Sequence, residues 1–137
     1  MTEGYTIQAI QSVLNSQQAY CKFLSANDSG ATGGHQSGIL ISKGAKEMMF
    51  AQDLENENIL KRTVGIQWQN DIRTQSSFTY YSSKNELRIT KFGRNFPFLN
   101  PEQTGALFVF TRQDTDQYSA FFLETEEDIE QFLSTFG

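Results

Sequence analysis

Apolar residues alternate with polar ones along much of this chain, and that period of two constrains the fold more than any other feature. Val64, Ile66 and Trp68 interleave with Gly65, Gln67 and Gln69, while Leu87 and Ile89 interleave with Glu86, Arg88 and Thr90. Successive side chains on a strand point to opposite faces, so each run predicts a strand with one buried side. Residues 18–25 read as a strand through Tyr20, Cys21, Phe23 and Leu24, Gly38–Ile41 as a short one, and Phe78–Tyr81 as the start of another. Residues 106–111 and 118–123 read as a hairpin across an Asp- and Gln-rich turn.

Helical spacing of Ile7, Ile10, Val13 and Leu14 predicts a helix over 5–16. A second helix, Lys43–Phe50, is predicted after Ser42 as N-cap. A last one follows Thr125, with Ile129, Phe132, Leu133 and Phe136 on its apolar face and acidic residues in its first turn. Residues 51–58 read as a solvated connection, Gly93–Asn100 as irregular chain and Pro101–Gly105 as a turn. Nothing alternates as strand–helix–strand. The expectation is an α+β fold of seven short, mostly antiparallel strands with two or three short flanking helices. A length of 137 residues predicts a single domain, 1–137, and 12 phenylalanines predict an aromatic core.

One stretch escapes this pattern. After Leu24, the run Ser25-Ala26-Asn27-Asp28-Ser29-Gly30-Ala31-Thr32-Gly33-Gly34-His35-Gln36 holds no large apolar residue and three glycines. It is longer than the ~4–6 residues that usually connect elements in a compact domain. Glycines let backbone amides approach a partner without a side chain between. The same residues also suit an Asx turn at Asn27-Asp28 with glycines that only shape a loop.

Charge and composition narrow the chemistry. The formal net charge is −5, but residues 113–137 alone carry −7, which leaves +2 for residues 1–112. Residues 82–95 carry Lys84, Arg88, Lys91 and Arg94 against Glu86, a local +3. A nucleic-acid partner responds to such a local surface and not to the total. The single Cys21 excludes an intrachain disulfide and a cysteine-cluster zinc site. The chain starts with no signal peptide and has no apolar run near the ~20 residues of a membrane span, so a cytoplasmic location is expected.

No catalytic constellation stands out. His35 is the only histidine, no serine lies in a nucleophile elbow, and Gly33-Gly34 is followed by His35-Gln36 where a phosphate-binding loop needs Lys and Ser or Thr. No strand-borne Asp followed by a Glu/Asp-x-Lys pair marks a magnesium nuclease. The expectation is no catalytic residue and no metal site.

The strand around 84–90 supports binding instead. Lys84, Glu86, Arg88 and Thr90 share one face, with neighbours about 6.6–6.8 Å apart. That is close to two base-pair steps of roughly 3.4 Å. In the major groove Arg grips the O6/N7 edge of guanine and Glu accepts from the cytosine amino group. A solvated salt-bridge ladder on a half-buried strand gives the same alternation. In the polar loop, Asn27 offers an amide for adenine, Asp28 an acceptor for cytosine, and Thr32 a hydroxyl and a methyl, while His35 and Gln36 add donors.

Two blocks carry a resemblance. Leu24–Gln36, and Arg88-Ile89-Thr90-Lys91-Phe92-Gly93-Arg94 followed by Asn100-Pro101-Glu102-Gln103-Thr104-Gly105-Ala106-Leu107, closely resemble the amino-terminal effector domain of the EcoRII restriction endonuclease family. The blocks occur in the family's order, and the resemblance covers roughly residues 15–110. It implies a DNA-binding pseudobarrel of the kind also seen in plant transcription factors. Two arms enter the major groove, matching residues 22–36 and about 84–94 here. Carried over by position, Lys22, Ser25, Asn27, Asp28, Thr32, His35 and Gln36 belong to the first arm. Glu86, Arg88, Lys91 and Arg94 belong to the second, and Lys84 frames it.

The resemblance further implies a monomeric domain that binds double-stranded DNA at a short G·C-containing site such as the type member's CCWGG, in a bacterial type II restriction-modification system. The domain itself needs no cofactor. Cleavage falls to a separate carboxy-terminal nuclease domain, where Mg²⁺ is expected. There are departures: Phe23 and Leu87 stand where the type member has basic residues, and the stretch between Tyr81 and Glu86 is shorter. Two rivals remain beside this reading, a compact magnesium-dependent nuclease and an autoregulatory protein-interaction module that docks through the acidic helix after Thr125.

Overall fold

The computed structural model describes residues 2–25, 38–50, 59–81, 86–92, 96, 101–114 and 117–136. Seven strands form one sheet: β1 (Gln18–Phe23), β2 (Ile39–Ile41), β3 (Ile59–Trp68), β4 (Arg73–Tyr81), β5 (Glu86–Thr90), β6 (Leu107–Asp114) and β7 (Gln117–Leu123). The α-helices are α1 (Thr2–Asn15), α2 (Lys46–Met49) and α3 (Glu126–Phe136). No helix among the described residues is long and apolar enough to cross a membrane.

The strand order is β1-β6-β7-β3-β4-β5-β2. Neighbours are antiparallel except β3 and β7, which run parallel over Ile66–Trp68 against Tyr118–Ala120. β1 and β2 are therefore the two ends of the sheet, yet they meet. The Ser42 backbone N–H donates to Tyr20 Oη at 3.1 Å, and Lys22 Nζ donates to the Leu40 carbonyl at 2.8 Å. The sheet closes on itself through two side chains in place of a ladder, which makes it a pseudobarrel.

The inside of that barrel is aromatic, as the phenylalanine content predicts. Trp68 stacks on Phe122 at 5.5 Å between centroids and meets Phe92 and Phe96 edge-on at 5.8 and 4.7 Å. Phe78, Phe110 and Tyr118 form a second group further along the barrel. Offset and edge-on contacts of this kind add roughly 0.5–1.5 kcal/mol each beyond the area they bury. Arg62 also points inward. Its guanidinium lies 5.9 Å from both the Phe78 and Tyr118 ring centroids and donates to the Met49 carbonyl at 2.7 Å, tying α2 to β3.

The outer faces of β6 and β7 are covered by α1 and α3, through Ala9, Leu107, Val109, Phe121, Leu123 and Phe132. The predicted face of α1 is rotated. Thr6 and Ala9 are buried and Ile10 and Val13 pack beside them, while Ile7 and Leu14 are exposed. On α3, Phe132 is buried and Ile129 packs against the same cluster, whereas Leu133 and Phe136 stay exposed. Thr125 caps that helix as expected, its Oγ1 accepting the Asp128 N–H at 3.1 Å.

Three elements differ from expectation. Residues 43–50 do not make one helix: Lys43–Ala45 is a 3-10 turn and α2 has only four residues. Ser42 caps the turn instead, with Oγ accepting the Gly44 N–H at 3.2 Å. β3 begins at Ile59, ahead of the Val64–Trp68 alternation, and β4 begins at Arg73, ahead of Phe78. The two are joined through Asn70 and Asp71, at φ 62° and 58°. Consecutive left-handed residues are the signature of a type I′ hairpin, and Asn and Asp tolerate that region best after glycine. The first half of β4 lacks an apolar pattern because its buried residues are hydroxyls: Thr74, Ser76 and Ser77. The solvated connection read over 51–58 lies outside the described residues.

Two of the β4 hydroxyls, Thr74 and Ser76, lie in one chain of hydrogen bonds. Trp68 Nε1 donates to Thr74 Oγ1 at 2.8 Å, Thr74 Oγ1 lies 2.7 Å from Ser76 Oγ, and Ser76 Oγ donates to the Lys91 carbonyl at 2.9 Å. Since the Ser76 proton goes to Lys91, Thr74 is the donor between the two hydroxyls. The chain runs from the core tryptophan to the end of β5.

Candidate nucleic-acid interface

β5 is laid down by its alternation. Leu87 and Ile89 are fully buried, and Glu86, Arg88 and Thr90 are half-buried on the outer face. Arg88 Nη2 donates to Glu86 Oε2 at 3.1 Å, with the side chains 14% and 27% exposed. The two side chains that spacing puts on one face thus form an ion pair, the contact that a salt-bridge ladder also gives, and each restrains the other's rotamer at the surface.

The ladder registers extend this site sideways. Lys61 on β3 is opposite Thr79 on β4, Thr79 is opposite Arg88 on β5, and Arg88 is opposite Leu40 on β2. All four belong to the outward set of their strands, so they form one row across the sheet. Lys61 is exposed, and Leu40 is 38% exposed. Lys22 reaches the same place from the opposite sheet edge, since its ammonium is held by the Leu40 carbonyl. Leu40 therefore has Arg88 of the second predicted arm on one side and Lys22 of the first on the other. Gly38 permits the chain entering β2 to lie close on β5: a Cβ there would stand 3.2 Å from Thr90 Cγ2 and 3.9 Å from Arg88 Cδ.

Just past the ends of β1 and β5 the backbone is anchored. At the end of β1, Leu24 donates its N–H to the Ala106 carbonyl and accepts the Gly105 N–H, both at 2.9 Å, and Ser25 follows exposed. Gly105 sits at φ +91°, a conformation that strains any residue with a Cβ. At the end of β5, Lys91 is exposed at φ 63°, its carbonyl held by Ser76. Phe23, at a position where the resemblance implies a basic residue, is 54% exposed and lies beside Ile129 and Leu133 of α3. Leu87 is core.

Of the predicted site residues, the structure pairs Glu86 with Arg88, sets Lys22 against the carbonyl of Leu40, the ladder partner of Arg88, and places Ser25 and Lys91 just past the ends of β1 and β5. Asn27, Asp28, Thr32, His35, Gln36, Lys84 and Arg94 lie outside the described residues. Sequence reasoning missed Lys61 and Leu40. The signal for Lys61 was present, because it falls on the outward phase once the alternation of β3 is carried back past Val64. Leu40 needed the register, since nothing local distinguishes it from Ile39 and Ile41.

Among the described residues there is no group of three or more His, Cys, Asp or Glu arranged to hold a metal. Cys21 is exposed as a residue, yet burial of its thiol pushes the pKa up to about 11. That is the opposite of the lowered pKa that activates a nucleophilic cysteine.

Comparison with solved structures defines the class of fold first. The chain is similar to the B3 domain of the UbaLAI restriction endonuclease, solved with cognate DNA, with a TM-score of 0.54 and 15% identity over 97% of this chain and 87% of that one. It is also similar to the N-terminal domain of Helicobacter pylori LlaJI.R1, with a TM-score of 0.53 and 14% identity over 84% of this chain and 89% of that one. The family follows from sequence: the model for the N-terminal domain of restriction endonuclease EcoRII matches residues 13–136, and the chain belongs to that family. The type II restriction enzyme EcoRII of Escherichia coli is 35% identical over an alignment 99 residues long, which covers 64% of this chain and 24% of the relative. The chain thus spans about a quarter of that relative's length.

Proposed function

We propose that this chain is a sequence-specific double-stranded DNA-binding domain, the recognition part of a type II restriction endonuclease. The observation that carries this is the outward row Lys61–Thr79–Arg88–Leu40 with Glu86 paired to Arg88, flanked by the starts of both arms. Arg88 reads guanine and Glu86 the cytosine amino group. Lys22, Lys84, Lys91 and Arg94 contact phosphates or frame the groove, and Ser25, Asn27, Asp28, Thr32, His35 and Gln36 act from the first arm. The site read is short and G·C-containing, with CCWGG the first to test. Binding is by one domain to one duplex without a cofactor. Cleavage belongs to a Mg²⁺-dependent nuclease domain elsewhere in the polypeptide, working in the bacterial cytoplasm. Membership of the EcoRII N-terminal family and the likeness of the fold to a B3 domain solved with cognate DNA support the assignment.

A gel shift with a CCWGG duplex against a scrambled one of equal length tests it directly. Preference for CCWGG supports the reading, equal binding of both at moderate salt removes CCWGG as the site, and absence of binding to either at low salt sinks the assignment. Two lysines give separable outcomes. Lys61→Gln is expected to weaken binding to cognate and scrambled duplex alike and to reduce the slope of log K against log salt by about 1, as loss of one phosphate contact does. Lys91→Gly is expected to weaken DNA binding while leaving stability within about 1 kcal/mol, because relief of the left-handed backbone offsets the entropy that glycine adds to the unfolded chain. Thermal melting beside anisotropy titration separates the two effects.

A further inference from the structure

Leu40 is an unusual occupant of its position. It is flanked by an arginine and a lysine, faces outward, and keeps 38% of its surface exposed between two buried isoleucines. It contributes nothing to the barrel interior, which Ile39 and Ile41 fill from the same strand. Its place is held firmly, because Lys22 Nζ fixes its carbonyl and the ladder fixes it opposite Arg88. Facing residues on paired strands have Cβ atoms about 4.5–5.5 Å apart, between one and two base-pair steps. An aliphatic side chain makes no hydrogen bond to a base edge. The group it favours in the major groove is the C5-methyl of a pyrimidine.

We infer that Leu40 is a specificity-determining residue that packs on the 5-methyl group of a thymine next to the base pair read by Arg88. The inference rests on the DNA-reading assignment made above and deepens it: Arg88 and Glu86 read polar edges, and Leu40 reads an apolar one.

The test replaces each thymine of the bound duplex in turn by deoxyuridine, which removes only the methyl, and compares the wild-type chain with Leu40→Ala by anisotropy titration. Burial of one methyl corresponds to about a fourfold change in Kd. Wild type is expected to lose about that factor at one thymine and nothing at the others. Leu40→Ala is expected to bind the parent duplex more weakly by a similar factor and to be indifferent to deoxyuridine at that same position. A melting curve for Leu40→Ala that overlays wild type shows that the effect is not one of folding. Indifference of the wild type to every substitution, or an unchanged deoxyuridine penalty in Leu40→Ala, overturns the inference while leaving the domain's preference for its site intact. Absence of any preferred duplex overturns both.

Discussion

Arg88→Ala is expected to weaken binding to the cognate duplex by about 1–3 kcal/mol, a loss of roughly five- to 150-fold, with a smaller loss against scrambled DNA. The discrimination is lost because a guanidinium presents a rigid fork to guanine O6 and N7 that no other group in the row reproduces. Truncation also leaves Glu86 without its 3.1 Å partner, so a bare carboxylate then faces the negatively charged groove. Arg88→Lys separates the contributions. It keeps the charge and loses the fork, so it should retain binding to scrambled DNA but still lose specificity. Adding Glu86→Ala to Arg88→Ala should recover part of the affinity without restoring the preference, since it removes the stranded charge. If Arg88→Ala bound the cognate duplex as tightly as wild type, the role assigned to this residue would be wrong.

The second large effect falls on stability. Trp68→Ala is expected to cost about 3–5 kcal/mol, the usual range for deleting a large buried aromatic. A domain of this size has only about 5–15 kcal/mol in total. Trp68 is 2% exposed, touches Phe92, Phe96, Phe108 and Phe122, and begins the hydroxyl chain that ends at Lys91. Trp68→Phe keeps a ring but loses the bond to Thr74, and should cost less, about 1–3 kcal/mol. Urea midpoints with unchanged slopes measure both. A shift below about 0.5 kcal/mol for Trp68→Ala, the level of an ordinary surface substitution, would remove the aromatic cluster from its central place in the fold.

Much of this molecule could be read from its residues in order. The alternation of 64–69 and 86–90 marked two strands on the correct faces, and the charge of 82–95 pointed to the surface where Arg88 and Glu86 are paired. Residue patterns failed where burial was polar. Nothing in Thr74 and Ser76 announces a buried strand, because their burial depends on hydrogen-bond partners supplied by Trp68 and Lys91 across the sheet. They also failed where a helix meets the sheet at an angle that spacing cannot foresee. Thr6 and Ala9 face the barrel, and Ile7 and Leu14, more apolar than either, do not. Lys22 drew notice only through the resemblance, which implies a place in the first arm, and the tertiary contact with the Leu40 carbonyl, which no local pattern announces, shows it joining the two ends of the sheet.

That joint has a consequence for how the barrel can yield. The ladder partner of β1 is β6 and that of β2 is β5, so neither strand takes its register from the other. Parting the two ends of the sheet would break the bonds made by Tyr20 and Lys22 and leave both of those ladders in register, so the seam acts as a clasp that can open without any strand slipping.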